Sequence, residues 1–226
     1  MIVLAIEQST PVAGLALFRD GQCLAEATWE DARFHNQHLF EQIPRLLDSN
    51  GTSLAEVDVF AVGLGPGSFA GLRVALAAAR AIALPDGRQV FGVSSGEALA
   101  WDVGRGRPEK PVVIAGDARR DRVWFGVFSA AGQGRPKQRA PYALARMEEL
   151  GAQMPSPAIV ATPDWNRMGE RLKGGLPAGV EIVEKTVFPR ARALGQVVLA
   201  RMQHGEPSDP LAPIYLHPPV FVEAKY

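Results

Sequence analysis

The run Ile2-Val-Leu-Ala-Ile6 meets Glu7-Gln-Ser-Thr-Pro11 and resumes as Ala13-Gly-Leu-Ala-Leu-Phe18. A short apolar run rich in β-branched residues reads as a buried strand, and the polar stretch after it as a turn into a second strand. Arg19-Asp-Gly-Gln22 signals a hairpin into a third strand, Cys23 to Trp29, so the chain opens with a meander. About 110 residues later the pattern returns. Val112 to Ala115 is apolar, Asp117-Ala-Arg-Arg-Asp121 is an acid-headed turn, and Val123 to Phe128 is an amphipathic strand ending at a glycine turn. A repeat at that offset predicts two related domains rather than a solenoid.

The segments between the copies complete the pattern. Leu39, Ile43, Leu46 and Leu47 recur at helical spacing, and Asn50-Gly51 stops the helix. Val57 to Leu64 reads as a strand, Gly65 to Gly71 as a tight loop, and about Leu72 to Leu84 as a second helix. Val90 to Val93 is a short strand, and Glu97 to Val103 begins another helix. The polar, Gly/Pro-rich stretch 104–111 is the linker candidate, dividing the chain into 1–104 and 105–226. In the second copy Ile159 to Thr162 and Val180 to Val183 read as strands, and Ala191 to His204 as a final helix. The tail from Pro207 carries five prolines and reads as extended, held by Leu211, Ile214, Tyr215 and Leu216. The duplicated βββαβα order predicts an α/β fold of two ribonuclease-H-like halves, with the final helix and tail packing back on the first.

Composition narrows the function classes. Of 226 residues, 47% are hydrophobic and 21% charged, ordinary for a protein with a real core. Lys plus Arg equal Asp plus Glu at 24 each, whereas a free-standing nucleic-acid binder carries a positive excess. No apolar run reaches the roughly 18 residues of a membrane span. The start lacks a basic leader, and one cysteine, Cys23, permits no internal disulfide. The expectation is a neutral cytoplasmic protein without membrane contact.

Gly65-Pro-Gly-Ser-Phe-Ala-Gly-Leu-Arg73 stands between a strand and a helix, where backbone N–H groups can cradle phosphate. No Gly-Lys-Ser/Thr follows, so it is not a Walker loop, and Ser68 is not in a G-x-S-x-G elbow. The plainer reading, which the spacing favours, is glycine that lets the loop cross closely over a neighbour. Glu7 and Asp117 sit where a strand-end acid holds magnesium and phosphate in actin-like ATPases and sugar kinases; the plainer reading is that they cap turn amides. His35 and His38 give H-x-x-H, a poor spacing for a helical zinc pair with only Asn36 and Gln37 between them. The second helix is apolar nearly all round, with Arg73 and Arg80 its only charges, so it is covered inside the monomer or by a second chain. Arg135-Pro-Lys137-Gln-Arg139, with Arg105, Arg107 and Lys110, reads as a solvated basic face or a weak auxiliary contact to RNA phosphates.

Five motifs together resemble the TsaB (YeaZ) family: Leu4-Ala-Ile-Glu-Gln-Ser-Thr10, the glycine loop 65–73, Val93-Ser-Ser95 with Glu97-Ala-Leu99, Asp117-Ala-Arg-Arg120 and Pro213-Ile-Tyr-Leu-His-Pro218. The resemblance implies an actin-like (ASKHA) fold and a part in forming threonylcarbamoyladenosine beside the tRNA anticodon. It implies a non-catalytic partner of a TsaD-like transferase, working with a TsaE-like ATPase, homodimeric when alone and meeting tRNA only through the complex. The transferase's H-x-x-x-H metal pair is missing from this sequence, so no metal and no catalytic residues are expected. Family members pair through the first two helices, which points to the region of Leu39, Ile43, Leu46, Leu72, Leu76 and Ala79, with the face that each helix presents left open. The resemblance also implies a weak nucleotide site at Glu7, Ser9, Thr10, Gly65, Gly67, Ser68 and Asp117. ATP or ADP with magnesium at the partner interface is its ligand, and no cofactor is held tightly. Glu7-Gln8 stands where the family usually has Asp-Thr, and Ala70 where it has threonine, which removes small polar groups from those turns. The rival is an active ASKHA ATPase or phosphotransferase using Glu7 and Asp117.

Overall fold

Strand β1 (Ile2–Glu7) is apolar without alternation because both its faces are covered. Leu4 and Ile6 face one hydrophobic cluster and Val3 and Ala5 another, all four with no exposure. The computed structural model describes residues 1–30, 37–130 and 134–216. β2 (Val12–Arg19) and β3 (Gln22–Glu30) pair antiparallel beside β1, while β4 (Val59–Gly63) and β5 (Gln89–Val93) add in parallel. The sheet order is β3-β2-β1-β4-β5.

The second half repeats this arrangement strand for strand. β6 (Val112–Arg119), β7 (Arg122–Phe128) and β8 (Ala143–Arg146) form the meander, and β9 (Ala158–Thr162) and β10 (Val180–Thr186) pair in parallel beyond β6. Read from the other edge, β8-β7-β6-β9-β10 matches the first sheet, so the duplicated fold expected from sequence is present.

Helices α1 (Gln37–Asp48) and α2 (Phe69–Ala83) cover one face of the first sheet, burying Leu39, Ile43, Ala75, Leu76 and Ala79 against Leu4 and Ile6. α3 (Ser95–Gly104) instead turns Leu99, Ala100 and Val103 onto the second sheet, beside Ile114 and Phe128. α4 (Met147–Leu150) and α5 (Trp165–Gly175) serve that sheet's other face. α6 (Ala191–Gln203) crosses back, packing Leu194, Val197 and Val198 against Val3, Ala5 and Phe18. Each large aliphatic side chain removed from water contributes roughly 1.5–3 kcal/mol. Detaching α6 would therefore uncover the first half's core, and the halves interlock through α3 and α6.

Three elements had no sequence expectation. β8 is only four residues long, α4 is a single turn, and α5 buries only Met168, Gly169 and Leu172. Such a narrow stripe, with Gly169 inside it, hides a helix from periodicity. α2 begins at Phe69 rather than near Leu72, because the Ser68 hydroxyl caps it by accepting from the Gly71 amide at 3.2 Å. β6 runs past Asp117 to Arg119, since Asp117 still pairs with Val123 across the hairpin. After α6 the chain is extended through residue 216. Asp209 N–H donates to Gly92 O at 3.0 Å, and Ile214 N–H to Leu64 O at 2.8 Å, so this segment covers the edge strand β5.

Candidate functional site

Four places collect the sequence candidates: the first turn, the glycine loop, the second turn, and the outer faces of α1 and α2. The turn after β1 is closed. Glu7, Ser9 and Thr10 are buried, Glu7 with no exposure at all. Glu7 Oε1 accepts from its own turn, the Ser9 amide at 2.7 Å, while Oε2 faces Gly63 and Ser95. Burial pushes the Glu7 carboxyl above its ordinary range, against smaller opposing effects of hydrogen bonds from Ser9 and Ser95. The glycine loop lies directly on this turn. A Cβ on Gly71 would stand 2.1 Å from the Gln8 carbonyl, and the Ser68 amide donates to Ser9 O at 2.7 Å. Gly65, at φ 90°, exchanges hydrogen bonds with Ser95, its N–H donating to Oγ at 3.0 Å and its carbonyl accepting from the Ser95 amide at 2.8 Å. Gly67, Gly71 and the Ser68 amide serve the neighbouring strand end, and Gly65 ties the loop to the start of α3.

The second turn is of another kind. Asp117 Oδ1 accepts from the Arg119 amide at 2.8 Å, and Oδ2 lies 3.3 Å from the Arg119 and 3.5 Å from the Arg167 guanidinium. Arg119, Arg120 and Asp121 all have positive φ, 64°, 51° and 60°, in a hairpin whose arginines point outward. A magnesium nucleotide needs an accessible acid and open amides at both turns. Here Glu7 is sealed and Asp117 is answered by arginines, so the residues do not fit that ligand. Among the described residues no group of three or more His, Cys, Asp or Glu side chains could hold a metal ion. His38 is half-buried at the start of α1, and His35 lies outside the described residues.

The helical candidates mark the two helices, and the fold shows which way each residue faces. Leu39, Ile43, Leu46, Leu72, Leu76 and Ala79 are all buried in the monomer, because the wide apolar stripes of α1 and α2 close on the first sheet. What α2 offers to solvent is Ala70, Arg73, Ala77, Arg80 and Ala81, with Phe69 57% exposed and Leu84, just past its end, 80% exposed. α1 offers Phe40 at 55%. The extended C-terminal segment reaches the start of the α2 face: Tyr215 stacks on Phe69 with centroids 5.2 Å apart, and Arg73 Nε donates to its hydroxyl at 2.7 Å. Arg80 donates to Leu211 O at 2.9 Å.

One constellation had no sequence signal. A cleft of about 560 Å³ between the halves is lined by Glu97, Arg135, Lys137, Arg201, Glu206 and Asp209, among others. Arg135 pairs with Glu97 and Glu206, and Arg201 pairs with Glu97 and, at 2.7 Å, with Asp209. Glu97 is 1% exposed and Arg135 8%, so neither belongs to a solvated face. Burial holds Arg135 below the ordinary guanidinium range, and the nearby Arg201 adds to that. The spacing Ser94-x-x-Glu97 reads as a helix cap, and Ser94 Oγ does accept from the Glu97 amide at 3.3 Å. The Glu97 carboxylate instead turns inward. Nearby, buried Tyr142 from the second half bonds Ser94 with its hydroxyl, and burial pushes its pKa up.

The comparisons with known proteins agree with this architecture. The family model described as TsaD, tRNA N6-adenosine threonylcarbamoyltransferase, matches residues 23–163. The Escherichia coli tRNA threonylcarbamoyladenosine biosynthesis protein TsaB is 33% identical over 129 residues, 57% of this chain and 55% of that protein, so the match spans about half of that relative. The crystal structure of YeaZ from Pseudomonas aeruginosa superposes with TM-score 0.80 at 27% identity, covering 95% of this chain and 100% of that one. An Arthrobacter polyphosphate/ATP-glucomannokinase shares the fold alone, at TM-score 0.52 and 11% identity over 90% of this chain and 99% of that one. The fold is the two-domain actin-like one.

Proposed function

Because the chain belongs to the TsaB (YeaZ) family, we propose that it is a non-catalytic partner of a TsaD-like transferase in forming threonylcarbamoyladenosine in tRNA. The observation that carries this reading is the uncovered outer face of α2. Ala70, Ala77 and Ala81 keep it low, Phe69 and Leu84 flank it, and among the described residues none buries Ala77 or Ala81. Small residues along a helix let a second helix approach closely, and exposed aromatic and aliphatic side chains at the rim supply the area that association removes from water. The docked partner is the transferase in the working complex and a second copy of this chain when the transferase is missing. A TsaE-like ATPase joins the assembled pair, and tRNA is bound by the complex rather than by this neutral chain alone. The sealed Glu7 turn supports a scaffold over the phosphotransferase reading.

The test is capture of a TsaD-like protein by the tagged chain from its own host, with wild type beside the double variant Ala77→Arg/Ala81→Glu. Both positions are exposed, so the variant keeps its far-UV circular dichroism and melting temperature. Near-equimolar capture by wild type and loss in the variant is the expected result. Equal capture by both, or none by either at low salt, would overturn the reading.

A further inference from the structure

Arg135, Lys137 and Arg201 converge on the interdomain cleft from different parts of the chain, the 134–139 segment and α6. Two of them are nearly buried, with side chains 8% and 11% exposed. A buried guanidinium is a poor stabilising device, since an apolar side chain of similar volume does as well or better. Clefts of this size between domains are common small-molecule sites. The carboxylates that answer these cations are of two kinds. Glu97 is fixed on α3 and saturated by both guanidiniums. Glu206 and Asp209 stand on the extended segment after α6, at the mouth, 29% and 33% exposed.

The walls alone therefore hold three cations against one carboxylate, an excess of two positive charges, and the extended segment supplies the two negative ones. Among the described residues one donor is left over: Arg201 Nε is buried and has no hydrogen-bond partner there. Leu64, Pro210 and Ile214 give the cleft an apolar side against which a short carbon skeleton can lie. We propose that the cleft is a binding site for a small dianion, a phosphate-bearing molecule or a dicarboxylate, whose charges replace those of Glu206 and Asp209 against Arg135 and Arg201. The segment 206–210 then acts as a built-in competitor that holds the site in the free protein. Lys137, with its side chain 65% exposed and 3.0 Å from Glu206, is the outermost cation and the first that an arriving anion meets.

The experiment is calorimetric titration of the full chain with inorganic phosphate and with succinate at matched ionic strength. It compares wild type, Glu206→Gln/Asp209→Asn and Arg135→Gln. Removing the competing carboxylates tightens dianion binding by about tenfold or more, a free-energy change within reach of one charged contact. A folding defect would weaken it instead. Arg135→Gln weakens binding by a similar factor. Binding of phosphate alone assigns the phosphate class, and of succinate alone the dicarboxylate. No binding of either to wild type and to the double neutral variant overturns the proposal, and so does undiminished binding by a folded Arg135→Gln.

Discussion

Gly67 lies so close to Ser9 that a Cβ built on it would stand 2.0 Å from the Ser9 carbonyl oxygen. The loop that resembles a phosphate cradle is thus packed on the strand end where the phosphate of an actin-like ATPase would lie. Gly67 and Gly71 are required by that contact between two backbones.

Gly67→Ala should accordingly destabilise the fold whether or not any nucleotide is present. Neither backbone segment can yield as a flexible side chain would, and overpacking of this kind costs about 1–3 kcal/mol. At roughly 2–4 °C per kcal/mol for a chain of this size, the melting temperature falls by several degrees. Gly106→Ala, which meets nothing within 4 Å, is the control and leaves it unchanged. Equal melting of both variants would contradict the packing argument.

Leu76 and Ala77 are neighbours with opposite fates. Leu76 is 6% exposed in the core, so Leu76→Glu buries an unpaired charge and costs about 4 kcal/mol or more. Leu76→Glu therefore breaks the domain rather than reporting on pairing. Ala77→Glu, on the exposed face, changes stability by less than about 0.5 kcal/mol and weakens association. Urea unfolding and sedimentation velocity of the two variants separate these outcomes.

Glu7 predicts a pH dependence of definite sign. Its folded-state pKa is raised, so the folded protein holds the proton more tightly than the unfolded chain. As pH rises above the ordinary 4.5, the unfolded chain ionises first and stability falls until the folded carboxyl also ionises. Glu7→Gln removes that loss. The variant should match wild type in denaturant midpoint at acid pH and equal or exceed it at neutral pH. A variant markedly weaker than wild type at pH 7 would mean that the ionised carboxylate is needed in the fold.

Glu97 should be the costliest carboxylate to remove from the cleft. Glu97→Ala leaves Arg135 and Arg201 facing each other with one shared counter-charge lost, a loss of about 3–5 kcal/mol for a buried pair. Lys137→Ala removes only an exposed rim contact and costs under about 1 kcal/mol. Added salt should shrink the Lys137 effect and leave that of Glu97 nearly unchanged. Chemical denaturation at low and high salt reads both.

Much of the fold was legible because it rests on local chemistry. The unbroken apolar run at Ile2 to Ile6 requires cover on both faces, and its echo at Val112 to Ala115 requires a second sheet of the same kind. The helix over Leu39 to Leu47 and the strands at Val59 and Val90 follow from periodicity and punctuation. Elements whose buried stripe is too short to repeat escaped, as β8 and α5 did.

Sites were less legible, for a related reason. Arg135 sits in a run of basic residues that reads as solvated, and Glu97 in a spacing that reads as a cap. Their contact joins residues 38 positions apart in sequence, and the one with Glu206 joins residues 71 apart. Such pairings follow from how α3 and α6 cross between the sheets, and no local pattern encodes that crossing.

Local sequence pattern was enough to predict two similar α/β halves, a second helix apolar nearly all round, and the motifs of one family. Packing of distant segments set which face of that helix stays open, sealed the first turn under the glycine loop, and brought six charges from separate segments into one cleft. Periodicity and turn chemistry act over a few residues and can be read in order. Burial and charge pairing depend on what the rest of the chain places opposite each side chain.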